Sequence, residues 1–191
     1  MANNKITYGL KNVYYSIAKE SGSGTWTFEE PTKLPGAQEF TNDIIGGSTN
    51  INADDTTIAT LNSLSGRTLT LKLTELTDEF KTDILGYKKL ENGNLVEITN
   101  AEPITFALGF EIQGDIKARR VWFYLCSVSP INEASKTKGD SVEVNANTLN
   151  ITARPIAIDE EHYTTHVIAS YGDSNYETFL TTAPTLPTLG E

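Results

Sequence analysis

The chain has a single cysteine, Cys126, and only two histidines, His162 and His166, among its 191 residues. A lone cysteine closes no intramolecular disulfide, which excludes the disulfide framework of small secreted domains. Its setting, VWFYLCSV, reads as a buried core thiol. No apolar run approaches the roughly 18 to 20 residues that cross a bilayer, so membrane insertion is not expected. The N-terminal stretch MANNKITYGL lacks the apolar core behind positive charge that marks a signal peptide. The expectation is a chain made in, and soluble in, a cytoplasm, with Asn150-Ile151-Thr152 a chance glycosylation sequon. Positive charge is also scarce. Fifteen Lys and Arg stand against 25 Asp and Glu, a net charge of −10. A surface of that sign repels phosphate and argues against a nucleic-acid-binding face. It does not argue against a protein past which DNA slides without sticking.

Enzyme signatures are equally thin. Residues 162–169 read as strand, where two positions four apart lie about 13 Å from each other at roughly 3.3 Å per residue. His162 and His166 are therefore not expected to share a metal. No serine sits in a G-x-S-x-G turn, and Cys126 has no nucleophile context. Asn52, Asp54 and Thr56 alternate as in a calcium loop, but the central glycine and closing glutamate are missing. Asp54-Asp55 and Asp159-Glu160-Glu161 read as solvated acidic loops. Gly46-Gly47 lack the Lys-Ser/Thr of a phosphate loop. No catalytic residue, metal or cofactor is expected.

What is present is alternation. In Ile104 to Val128, the residues Ile104, Phe106, Leu108, Phe110 and Ile112 take every second place, the period of a strand. Gly114-Asp115 suits a two-residue turn. That turn would pair Gln113 with Ile116, Leu108 with Val121, Phe106 with Phe123 and Ile104 with Leu125. Phe106, Leu108, Phe110, Val121, Phe123 and Leu125 would then share one core face, since a one-residue slip would turn one set outward. Arg120 would lie across from Gly109. Trp122 and Tyr124 fall on the opposite face, where they need a cover. The helix is expected to supply most of it, and a neighbouring subunit the rest, at Arg119-Arg120.

The remaining chain reads as more strands. Val13, Tyr15 and Ile17 alternate, and TWTFEE can pair back across Ser21-Gly22-Ser23-Gly24. AQEFTNDII runs to Ile45, and RTLTLKL carries Leu69, Leu71 and Leu73 on one face. Between them, residues 46–66 are rich in Gly, Ser, Thr, Asn and Asp. So long a polar stretch implies a job, and its isolated Ile51 and Ile58 fit a strand-paired excursion projecting from the body. Residues 77–86 form the one expected helix. Thr77 caps it, Asp78 and Glu79 complement its dipole, Gly86 ends it, and Leu76, Phe80 and Ile84 make its apolar stripe. Asn92-Gly93 marks a short hairpin. In SVEVNANTLNITARPI the apolar set moves from even to odd positions, which predicts a bulge near Asn147-Thr148. HYTTHVIAS reads as the last strand. Residues 1–180 are expected to form one mainly β domain, a β-sandwich or half-open barrel with one flanking α-helix, and 181–191 a loose tail.

Three blocks carry a resemblance. They are YGLKNVYYSIAKE with Trp26, Phe28 and Pro35-Gly36-Ala37; LTDEFKTDILGYKKLENGNLVE; and FALGFEIQGDIKARRVWFYLCSVSP followed by TLNITARPI. Together with NYETFLT they resemble the major tail protein, or tail tube protein, of long-tailed phages and prophages of Gram-positive bacteria. The resemblance implies a β-sandwich with a flanking helix whose copies form hexameric rings, stacked into a tube in the virion tail and assembled in the host cytoplasm. It implies tape measure, tail tip and tail terminator proteins as further partners, with DNA passing through the lumen unbound. Residues 46–66 match the place of a loop or hairpin that reaches the next ring. Gly46, Gly47, Ile51, Asp54, Asp55, Ile58, Arg119 and Arg120 become candidate contacts between rings or subunits. The alternative is a β-sandwich adhesin or carbohydrate-binding module using Tyr14, Tyr15, Trp26 and Phe28.

Overall fold

The structure, a computed structural model, describes residues 9–22, 24–53, 56–113, 118–131 and 146–190, with the backbone path alone for 48–53 and 56–62. The chain begins with β1 (Leu10–Glu20), which turns back into β2 (Trp26–Phe28) and β3 (Thr32–Lys33). Two long strands follow, β4 (Ala37–Ala53) and β5 (Thr56–Leu73). The helix α1 (Asp78–Asp83) and a small hairpin, β6 (Lys88–Lys89) with β7 (Leu95–Val96), lead to β8 (Phe106–Ile112) and β9 (Arg119–Val128). The described chain then supplies β10 (Asn147–Arg154), the short pair β11 (Ile156–Ala157) and β12 (Tyr163–Thr164), and β13 (His166–Ser170).

Nine of these strands form one antiparallel sheet in the order β2-β1-β8-β9-β10-β5-β4, with β13 also on β9 and β3 also on β1. The sheet curls on itself. Phe40 of β4 lies four strands from β8 in that order, yet its ring sits 4.4 Å from Phe110 and 5.9 Å from Phe123. The fold is thus mainly β, a half-open barrel whose seam lies between β4 and the start of β1. Leu69, Leu71 and Leu73 face inward from β5 to meet Phe106, Leu108, Phe110, Val121 and Phe123.

The helix plugs this interior. Thr77 accepts the Phe80 N–H as N-cap, and Ile84 closes the last turn. Phe80, fully buried, meets Tyr15 and Phe106 edge-on at 5.1 and 5.8 Å. Burying such a ring stabilises by about 1.5–3 kcal/mol. Tyr15 Oη donates to Asp83 at 2.9 Å and ties the helix to β1. Phe80 and Ile84 therefore belong to the barrel core, and α1 does not cover Trp122 and Tyr124. An amphipathic turn goes where the larger apolar concavity is, which here is the barrel mouth.

The central hairpin differs from the two-residue turn in register. Leu108 faces Phe123, Phe110 faces Val121 and Ile112 faces Arg119. The shift is two residues, an even number, so the same side chains stay inside. Gly109 consequently faces Trp122 rather than Arg120, and Arg120 faces Glu111. A Cβ on Gly109 would lie 2.7 Å from the Trp122 ring, so the glycine makes room for the indole, while Glu111 and Arg120 gain an ion pair at 3.1 Å. Residues 114–117 lie outside the described residues. Ile104, expected opposite Leu125, is in no strand and is exposed, its N–H bonded to Ile84 O.

A bulge opens opposite Ala107, between the pairs Leu108–Phe123 and Phe106–Cys126. The extra residue flips the alternation, so Cys126 joins the barrel core while Leu125 packs on the other side with Tyr124, Ala18 and Ile156. The bulge expected near Asn147-Thr148 is absent from the β10–β5 ladder, which runs unbroken from Asn147 to Ala153. Of the even-numbered set that motivated it, Val142 and Val144 lie outside the described residues, and Ala146 is exposed just before β10.

The expectation of a loose C-terminal tail is also corrected. Tyr124 Oη donates to Thr185 O at 3.0 Å, Pro184 is buried, and Leu186 packs against the Tyr124 cluster. The Gly109–Trp122 contact yields a test of the register. Gly109→Ala is expected to lower stability by about 1–3 kcal/mol in urea unfolding, because the methyl overpacks against the indole. A neutral result would favour the register with Arg120 opposite.

Candidate assembly surfaces

Strands β4 and β5 begin as barrel wall and end as an arm. The β10 ladder accompanies β5 only as far as Arg67, opposite Ala153. Beyond it, among the described residues, β4 and β5 pair only with each other, down to Ala53 opposite Thr56. Ten residues of β5 past Gly66 correspond to roughly 30 Å of extension. The departure is marked by a bulge: Ile45 faces Gly66 and Gly46 faces Leu64, leaving Ser65 unpaired. At Gly46 a Cβ would lie 2.0 Å from Ser63 O, and at Gly66 it would lie 2.7 Å from Ala153 O. The backbones approach too closely there for any side chain. A bulge sharpens the local twist and bends the ribbon away from the body.

Side chains at the arm's base are open to solvent. Thr41 to Gly47 are all exposed, with Ile44 at 66 % and Leu64, across the bulge, at 53 %. Arg67 anchors the base, donating from Nε to Thr165 Oγ1 and from Nη1 to Asn42 Oδ1. Ile51 pairs with Ala59, and Ile58 is the extra residue of a second bulge. Asp54 and Asp55 lie outside the described residues.

Two of the sheet's outer strand edges, those of β13 and β4, are treated differently. On β13, the His166 N–H is taken by Thr164 Oγ1, the His166 carbonyl receives the same hydroxyl, and the Ser170 N–H goes to Asp173 Oδ2. Local side chains thus blunt that edge, the usual protection against unwanted strand pairing. The outer edge of β4 has no strand partner among the described residues. Where β4 passes the start of β1, Leu10, Phe40, Phe110 and Ile112 line a groove of about 300 Å³ along the seam.

Arg119 and Arg120 part company, since alternation on β9 sends them to opposite sides. Arg119 pairs with Ile112 and Ser170 along the ladder. Arg120 is held within the subunit: Nε donates to Glu111, Nη1 to the carbonyls of Tyr176 and Glu177, and the guanidinium lies 4.1 Å over the Tyr176 ring. It is therefore not a free contact for a neighbour. The residues that receive it carry no strong pattern in the sequence. Their available signal was the spacing of Tyr176, Phe179 and Leu180 in NYETFLT, too short to read without knowing what it covers.

The remaining chemistry-bearing groups are dispersed. Among the described residues, no three His, Cys, Asp or Glu side chains converge as metal ligands. His162 Nδ1 sits 2.8 Å from Asp159, whose carboxyl is held below its usual range by the Glu161 N–H and then by the His162 ring. Cys126 is buried in the core, and burial pushes its thiol far up. His166 stacks on Phe123 at 5.1 Å, its pKa lowered by burial and then by the Arg67 charge.

That depression has a sign. The unfolded chain takes up the His166 proton more readily than the folded one, so stability rises with pH over its titration. The contribution is fully present above the ordinary value of 6.5 and is lost as pH falls below it towards the depressed folded value. Urea midpoints taken from about pH 7.5 down to about pH 5.5 should fall in the native protein and fall less in His166→Gln. Equal slopes in the two would exclude His166 as the cause. Comparison with models of known protein families finds no match, and comparison with curated proteins finds none at a significant level.

Proposed function

We propose that the protein is a structural subunit that assembles with copies of itself into stacked hexameric rings, the tail tube of a long-tailed phage, through which DNA passes. The observation that carries this reading is the β4–β5 arm, which leaves the barrel at a built-in bulge and keeps an unblunted strand edge. A free-standing protein gains nothing from roughly 30 Å of two-stranded ribbon, since an isolated hairpin is marginally stable in water. Such a ribbon is retained when another surface completes it. The edge of β13 is capped at His166 and Ser170, while among the described residues that of β4 has no strand partner, and this contrast supports directed rather than accidental pairing.

Charge fits the same role. With a net charge of −10, a conduit built of many copies repels phosphate, so DNA moves along it without adsorbing. The tape measure, tail tip and tail terminator proteins are the further partners this reading requires. The carbohydrate-binding alternative is left with few free aromatics, since Tyr15 is buried in the barrel core. Trp26 and Phe28 are half-buried against the Tyr124 cluster, Phe28 at 5.7 Å from the Tyr124 ring.

The reading is tested by electron microscopy of concentrated protein, alone and with a tail tip complex from a matching phage. Rings or tubes are expected. Replacing residues 47–63 by a two-residue Asn-Gly turn should leave the thermal transition of the barrel within a few degrees and abolish stacking. Compact single subunits under every condition would overturn the proposal, as would undiminished tubes from the armless variant.

A further inference from the structure

The outer face of the sheet is covered by a segment with neither helix nor strand. Residues 171–190 run through turns and extended chain across Ala107, Trp122 and Tyr124. Three successive outward side chains of β9 each donate to a main-chain carbonyl of that segment. Arg120 Nη1 donates to Tyr176 and Glu177, Trp122 Nε1 to Phe179 at 2.6 Å, and Tyr124 Oη to Thr185 at 3.0 Å. Donors lie on the sheet and acceptors on the main chain of the segment. Three residues of the segment, Tyr176, Leu180 and Pro184, are buried at intervals of four.

We propose that the outer face of β8 and β9 is a docking site for segment 174–187, which the chain fills with its own copy and which the same segment of a second copy can fill in its place. Two further observations support exchange. The connection to β13, Tyr171 to Asn175, is exposed throughout and turns at Gly172 with φ +102°. The segment also leaves a partly open pocket of about 180 Å³ against Trp122 and Val167, so its cover of that face is incomplete. Because every bond from β9 goes to a main-chain carbonyl, a segment arriving from another copy meets the same three donors. Exchange of an identical element is a low-cost way to join subunits. The inference does not rest on the tube reading and holds even if no ring forms.

The test uses the full chain carrying a protease site at Asp173-Ser174, cut after folding, in a Trp26→Phe background that leaves Trp122 as the sole indole. A fluorescein-labelled peptide of residues 174–190 is then added. The cut protein should keep its cooperative thermal transition, and the peptide should displace the native fragment, with rising anisotropy and a changed Trp122 emission. Arg120→Met should speed that exchange by about tenfold or more through loss of its charge-assisted bonds. Should that variant fail to fold, the cut native sequence alone decides. Collapse of the fold on cutting would overturn the proposal, as would a fragment that never gives way to the labelled peptide.

Discussion

Strand β9 must be dry on both faces, and much of the molecule follows from that requirement. Every residue from Val121 to Cys126 is at most 4 % exposed. One curled sheet can enclose only one of its own faces, so β9 needs two unrelated covers. The barrel interior, plugged by α1, takes Val121 and Phe123. The C-terminal segment takes Trp122 and Tyr124. The polar tips of those two rings would be stranded under a purely apolar cover, and a buried unpaired donor costs about 1–3 kcal/mol. Main-chain carbonyls satisfy both. The Glu111–Arg120 pair solves the same problem at the strand's first turn, where each partner would be a buried charge without the other.

The bulge opposite Ala107 is what allows β9 to serve two neighbours on one edge. Its first half pairs with β13 and its second half with β10. The added twist parts those two strands, and the same displacement sends Leu125 outward and Cys126 inward. A second bulge, at Gly46 and Ser65, performs the corresponding task on β5, which is barrel wall below it and arm above. Both bulges redirect a strand that has too many residues for the enclosure it helps to build.

Much was legible in the sequence wherever a side chain's role depends only on its near neighbours. Period-two alternation placed β1, β5, β8 and β9, and Thr77 marked the start of α1, which ends at Asp83 with Ile84 as its C-cap, short of the expected Gly86. The Gly46 and Gly66 limits of the polar stretch coincide with the bulge at which the arm leaves the barrel. Register was legible only modulo two, because alternation cannot distinguish Phe123 from Val121 as the partner of Leu108. The two-residue shift was decided by volume, the indole of Trp122 needing the gap at Gly109. The bulge at Tyr124-Leu125 was invisible because both residues are apolar, and an extra residue inside a run buried on both faces leaves no polar mark.

Residue order alone specifies a mainly β chain with antiparallel strands, a capped helix, a net negative charge and a long polar stretch. Each of those properties is local: periodicity, capping chemistry, composition. Which cover goes on which face is settled by packing between segments distant in the chain. Helix and C-terminal segment are both short and amphipathic, and nothing in either states its destination. The barrel mouth could accept Phe80 and Ile84 between Tyr15 and Phe106, whereas the outer face offered donors at Arg120, Trp122 and Tyr124. A six-residue helix presents its unpaired carbonyls together at its C-terminal end, so it could not have met three donors spread along β9. A segment of turns and extended chain spreads acceptor carbonyls along its length, at Tyr176, Glu177, Phe179 and Thr185, and that is the physical reason the tail lies where the helix was expected.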